Sequence, residues 1–216
     1  MAELRLVPDP DELSVEERLA ELGLALEPLQ RGALAGLTAR ASRTSAAPKN
    51  APGTDLYSHT VEELRLQLLP DGWFTECVRG QERTVSPDLK TAIVVSTGDG
   101  PVGMNGNPKT AHPKGPLMRN AVESNQQFIQ ESIPGLVVPA GDQSDLDTTS
   151  CLVWILLLKV EVNELSMELS LPDRFGDDGR VESWAQRILL PPIPLGSLVE
   201  STSYEGPVFD VPVERR

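Results

Sequence analysis

A chain of 216 residues is enough for one well-cored domain, or for one domain with an appendage. Aromatic residues are scarce, and 19 prolines with 17 glycines exceed the ordinary share, which marks much of the chain as loop. The formal net charge of -13 opposes non-specific adhesion to nucleic acid or to an anionic membrane, so any nucleic-acid contact has to be local.

The two cysteines, Cys77 and Cys151, lie far apart and supply neither a disulfide framework nor a zinc set, which fits a reducing, cytoplasmic setting. The N-terminus MAELRLVPDP has no basic n-region and no apolar h-region, so no secretory signal is expected. The longest apolar run, CLVWILLL at 151–158, stops at Lys159 and is too short to span a bilayer. No membrane contact is expected.

In chain order, Ser14 followed by Glu17 is a capping-box pattern and predicts a helix from about Val15 to Leu22. A second helix from about Leu26 to Ala41 places Leu29, Ala33, Leu34 and Leu37 on one stripe. The stretch SRTSAAPKNAPGTD, residues 42–55, is rich in Ser, Ala, Pro and Gly and is expected to be a flexible linker, leaving 1–41 as an N-terminal helical segment. Thr60 and Glu63 repeat the capping pattern at the start of a helix with Val61, Leu64 and Leu68 on one face, which Pro70 ends.

WFTECVRG, RTV and TAIVVST then read as strands of a small meander. After a long loop, LMRNAVESNQQFIQES predicts a helix from about Leu117 to Ser132. CLVWILLLKVEV is apolar on both faces, whereas LSMELSL alternates Leu165, Met167, Leu169 and Leu171 with Ser166, Glu168 and Ser170. The two form a hairpin about Asn163, the first strand central and the second nearer an edge, where it offers a free pairing edge. WAQRILLPPI adds a third strand that Pro191 and Pro192 end. The expected fold is α+β, a mostly antiparallel sheet with packed helices in a main domain over 56–195 and an irregular C-terminal tail over 196–216, which includes VFDVPV.

Three constellations carry possible chemistry. The loop STGDGPVGMNGNPKTAHPKGPLMRN, residues 96–120, gathers Lys109, His112, Lys114 and Arg119 with no acid after Asp99 in an otherwise acidic chain. Its glycines resemble a phosphate cradle, but neither the GxxxxGK[ST] nor the GxGxxG spacing is present, leaving an anion or partner site built from those four residues. Asp71, Asp88 and Lys90, with Glu62 and Glu63 upstream, suggest the carboxylates and lysine of a metal-dependent nuclease. DQSDLD at 142–147 lacks the glycine and final glutamate of a calcium loop and reads as a solvated turn. His59 and His112 form no metal set and no nucleophile triad. Trp73 and Trp154 are expected in the core, and Trp184, in VESWAQR, is the interface candidate.

Charge is uneven: residues 141–216 hold 14 acids and 6 bases, whereas 101–120 hold three bases and no acid. Together these features favour a non-catalytic subunit or adaptor with a protein partner, without cofactor or metal, in an assembly that handles nucleic acid such as a prokaryotic defence complex. Two alternatives stand beside it. One is a divalent-metal nuclease or phosphoester hydrolase using Asp71, Asp88 and Lys90; the other is phosphate or nucleic-acid binding through loop 101–120.

Overall fold

The computed structural model describes residues 13–78, 80–131 and 151–196, of which 127–131 by backbone alone. The DQSDLD stretch and the VFDVPV tail lie outside the described residues. Among the described residues, four α-helices and a seven-stranded, mostly antiparallel sheet make an α+β fold.

Helix α1 (Val15–Glu21) starts as its sequence dictates, with the Glu17 N–H donating to Ser14 Oγ and the Ser14 N–H to Glu17 Oε2 at 2.8 Å. Helix α2 (Leu26–Ala41) buries Leu29, Gly32, Ala33, Gly36 and Leu37, a stripe of three- and four-residue steps. Helix α3 (Ala51–Leu68) departs from expectation. It begins five residues inside the stretch read as a linker, because Pro52 suits a first helical turn and Asp55 is tied to the Arg43 guanidinium. Thr60 is therefore no cap. It sits fully buried in mid-helix, its hydroxyl donating to the Leu56 carbonyl at 2.6 Å.

The reason for that burial is the α2–α3 crossing. A Cβ on Gly36 would overlap the Thr60 hydroxyl and the Leu56 carbonyl oxygen, and one on Gly32 would lie 3.1 Å from the Thr60 carbonyl oxygen. Two glycines four apart let the backbones of α2 and α3 approach closely, and Leu19 of α1 with Leu29, Ala33 and Leu37 of α2 packs in the same apolar cluster as the sheet.

The strands are β1 (Phe74–Val78), β2 (Gln81–Val85), β3 (Thr91–Asp99), the short β4 (Lys109–Thr110), β5 (Leu152–Val160), β6 (Glu164–Phe175) and β7 (Val181–Pro194). Their order across the sheet is β1-β2-β3-β5-β6-β7, with β4 paired to the end of β3. All pairs are antiparallel except β3 with β5, which run parallel because α4 (Pro116–Glu131) carries the chain across between them. Leu19 of α1, Leu29 of α2 and Leu64 and Leu68 of α3 cover one face over Ile93, Trp154, Leu156 and Met167. Met118 and Ala121 of α4, with Val102, cover the other over Val94, Ile155 and Leu157. A central strand between two apolar layers has to be apolar on both sides, which accounts for CLVWILLL. β6 pairs with β5 from Ile155 onward, and the backbone of Val153 below that point is taken up by the buried Asn125 side chain, at 2.9 Å and 3.1 Å.

The position of β6 is a correction. It lies between β5 and β7 and is paired on both sides, so it leaves no free edge. The outer strand is β7, which goes on past Pro191 and Pro192 because the register shifts there, and its pairing with β6 resumes at Ile193 and Pro194. An edge strand needs N–H groups on its inner side only, so the prolines do not end it. The polar face of β6 is not solvated either, since Ser166, Glu168 and Ser170 are all buried.

Candidate functional site

The glycine-rich loop explains that buried polar face, because it folds back onto the sheet. Gly103 (φ +70) passes so close to β6 that a Cβ would stand 3.0 Å from the Met167 carbonyl oxygen. Its N–H donates to Glu168 Oε2 at 2.8 Å, so the anion in this glycine cradle is a carboxylate of the protein's own sheet. Arg187 of β7 completes the clamp. Its Nη2 lies 2.5 Å from Glu168 Oε2 and 3.0 Å from the Met104 carbonyl oxygen, its Nε donates to Glu168 Oε1 at 3.0 Å, and its Nη1 donates to the Gly106 carbonyl. Glu168 is 0% exposed. Ser170 Oγ donates to its other oxygen at 2.7 Å, so this buried charge is fully hydrogen-bonded.

The loop's cations are engaged each in a different way. Lys109 Nζ lies 2.5 Å from Glu182 Oε2, and the hydrogen bond from Lys109 to that carboxylate raises the lysine above its ordinary value. Lys114 Nζ donates to Ser96 Oγ at 2.6 Å, and burial lowers its amine below the usual lysine range. The Arg119 guanidinium lies 4.9 Å from the Phe175 ring centroid on an exposed face. His112 is exposed, with its carbonyl accepting from the Thr110 hydroxyl at 3.1 Å. Trp184 is half-buried and donates from Nε1 to the Pro108 carbonyl at 2.8 Å, so it too holds the loop.

Ser96 and Lys114 form a nucleophile-and-amine pair that the sequence did not single out. They are 18 residues apart, and only the β3 to α4 connection brings them together. A serine beside a lysine of lowered pKa is used in some hydrolases. Here Ser96 is 6% exposed and its hydroxyl donates to the Thr97 carbonyl at 3.2 Å while accepting from the ammonium, an arrangement that ties the loop to β3.

Asp88 closes the β2–β3 turn. It accepts from Ser86 Oγ at 2.7 Å and from the Lys90 N–H at 3.1 Å, and the Ser86 hydroxyl holds its carboxyl below the usual range. Lys90 Nζ lies 3.5 Å from Asp88 in the open. Asp71 is exposed at the end of the turn after α3, whose Gly72 would place a Cβ 3.6 Å from Pro87, so the two loops touch. Among the described residues no group of three His, Cys, Asp or Glu side chains is placed to hold a metal ion.

The least satisfied surface is elsewhere, at the β1 edge. Among the described residues nothing pairs with its outer side. FTECV carries neither proline nor lysine, the usual devices that blunt an edge. Beside it the outer side of α3 leaves Leu66 57% exposed and Tyr57 37% exposed. Tyr57, Ser58, Val61, Glu62, Arg65, Leu66 and Glu82 line a groove of about 400 Å³ between α3 and the β1–β2 hairpin. Arg65 Nη2 donates to Glu82 Oε2 at 2.7 Å, and that bond, with the Cys77 thiol adding to it, holds the Glu82 carboxyl below its usual range. Burial raises the Tyr57 phenol, with the Glu82 charge adding to the shift. Two polar atoms of this region are buried without a hydrogen-bond partner, Arg65 Nε and Glu76 Oε2.

Fold and surface define an α+β protein in which, among the described residues, prolines stand near the end of the outer strand β7 and nothing pairs with the outer side of β1. Compared with protein-family models, with curated proteins and with solved structures, the chain finds no match in any of the three.

Proposed function

We propose that the protein is a non-catalytic subunit or adaptor, and that a protein partner in a larger assembly takes hold at the β1 edge and the apolar side of α3. The observation that carries this reading is the edge strand β1, which has neither proline nor lysine, has no pairing partner on its outer side among the described residues, and lies beside exposed Tyr57 and Leu66. A contact with protein has more support than one with nucleic acid. Lys109 is matched by Glu182 and Lys114 is half-buried and bonded to Ser96, which leaves His112 and Arg119 as the loop's outward groups. Among the described residues no helix is long and apolar enough to cross a membrane.

The test is affinity capture of the tagged full chain from its native cells, with and without nuclease, comparing wild type, Leu66→Asp and a Lys109, His112 and Arg119 triple alanine variant. A stoichiometric protein that survives nuclease, stays with the triple variant and is lost with Leu66→Asp is the expected result. Recovery of nothing, or of nucleic acid alone, overturns the proposal.

A further inference from the structure

The chemistry of the occupant can be read from the edge itself. The Ser86 N–H donates to the Thr91 carbonyl, so on β2 the even-numbered residues turn their backbone groups toward β3 and the odd-numbered ones toward β1. Val85, Arg83 and Gln81 stand opposite Phe74, Glu76 and Val78, so those three residues of β1 use their backbone groups inward. Thr75 and Cys77 consequently present their N–H and C=O groups outward, and both residues are exposed. This is the template onto which an extended chain adds as a further strand.

The two faces beside that edge differ. Glu82, opposite Cys77, joins Arg65 at the groove, so the Cys77 side of the sheet faces Tyr57, Val61 and Leu66. Glu76 and Arg83 lie on the other face. Arg65 is already matched by Glu82, and Arg83 turns its guanidinium to Gln81 Oε1 at 2.8 Å and 3.0 Å. Glu76 Oε2 is thus left without a partner, and Glu62 at the groove has only His59, 3.7 Å away. Successive residues of an added strand point to alternate faces. One set would fill the apolar groove and the other would stand beside the Glu76 carboxylate, in a protein of net charge -13.

Resting on the adaptor reading, we propose that an extended segment of the partner, alternating apolar residues with lysine or arginine, adds to β1 as the next strand of the sheet. The apolar side chains enter the Tyr57, Val61 and Leu66 groove, and a basic one answers Glu76.

The experiment uses the full chain and Thr75→Pro, with two short synthetic peptides as probes, one alternating valine with lysine and one alternating valine with glutamate. Thr75 loses no bond within the sheet when its outward N–H is removed, so Thr75→Pro keeps its fold, as circular dichroism and melting check. Leu66→Ser serves as a second variant should the proline disturb the strand. The expected result is that the valine–lysine peptide slows amide exchange at Thr75 and Cys77 in the wild type. The valine–glutamate peptide should not, and both variants should lose the effect at Cys77, the position whose amide they share with the wild type. Unchanged exchange at Thr75 and Cys77, equal response to the two peptides, or full binding by folded Thr75→Pro overturns the inference. A doubled mass in light scattering that Thr75→Pro abolishes would put a second copy on the edge and overturn it as well. The adaptor reading fails separately: it falls when wild type captures no protein partner, and it survives when a partner binds Thr75→Pro as well as wild type.

Discussion

Replacing Arg187 by methionine tests whether the glycine-rich loop is held by a dry ion pair. Methionine keeps most of the stem and removes the guanidinium, leaving Glu168, which is 0% exposed, charged and facing an apolar side chain. Breaking a buried pair by removing one partner costs about 3–5 kcal/mol. The Met104 and Gly106 carbonyls also lose their donor, but they lie near the surface where water replaces it, adding about 0.5–1.5 kcal/mol between them. The sum is a large part of the roughly 5–15 kcal/mol that stabilises an ordinary domain. Urea unfolding should therefore show a much lower midpoint at unchanged slope, and amide exchange should accelerate first at Val102 to Gly106. The double variant Glu168→Leu with Arg187→Met separates charge from packing, because replacing both members of a buried pair by apolar residues is close to neutral. It should recover at least about 2 kcal/mol over Arg187→Met while the loop amides stay fast. A single-variant cost under about 1 kcal/mol, the value of an exposed pair, would refute the burial argument. So would a double variant as unstable as the sum of the two single changes.

Gly36→Ala should destabilise by about 1–2 kcal/mol, since overlap with the Leu56 carbonyl outweighs the gain in helix propensity; Gly53→Ala in α3, where a Cβ would meet nothing within 4 Å, should stabilise by about 0.5–1 kcal/mol. Thermal melts of the two variants check the contrast. The hydrogen bond from Arg43 holds Asp55 below the ordinary carboxylate range, so its contribution is complete above the unfolded value of about 4 and is lost as pH falls through the lower folded value. Asp55→Asn should therefore flatten the acid limb of a plot of melting temperature against pH. Burial lowers Lys114, so between its folded value and the unfolded value of about 10.4 the unfolded chain holds more protons and stability rises with pH. Lys114→Met should remove that alkaline rise, as denaturant titrations at several pH values would show. Leu89 sits at φ 61 in the β2–β3 turn, and Leu89→Gly should stabilise by about 1 kcal/mol in the same assay by removing a left-handed strain.

What could be read in the sequence was whatever depends on near neighbours. Ser14 and Glu17 mark a helix start because the capping box is closed within one turn. The apolar CLVWILLL run shows a strand buried on both faces because burial of every residue leaves no alternation. Thr60 misleads for the converse reason. Its spacing to Glu63 is that of a cap, yet Gly36 from another helix presses on it, and the chain between them carries no trace of that contact. The alternation of Leu165 to Leu171 is likewise real, but polar residues opposite an apolar face mean solvent only when no loop brings a partner. Glu168 and Arg187 are 19 residues apart with a turn between, and Gly103 reaches them from 65 residues away, so the clamp is invisible without the register of β6 and β7.

The same reasoning bears on the basic loop and on where a partner binds. A cluster of Lys109, Lys114 and Arg119 in an acidic chain invites an external anion, yet within the fold Lys109 already meets Glu182 and the loop's Gly103 N–H already meets Glu168, whereas Lys114 bonds a serine hydroxyl and Arg119 lies over a phenyl ring. Uneven charge along a sequence therefore reports a need for complementarity without saying whether the complement is internal. Hydrogen-bonding capacity discriminates better. In β7 the prolines lack outward N–H groups, and Arg18 Nη1 donates to the Arg187 carbonyl across that edge at 2.6 Å. At β1, Thr75 and Cys77 keep both groups with no such cover among the described residues. A sheet with one end closed by its own sequence and the other left as a template is suited to a partner at the open end, and Thr75→Pro, which closes that end in the same chemical way, is the substitution that tests it.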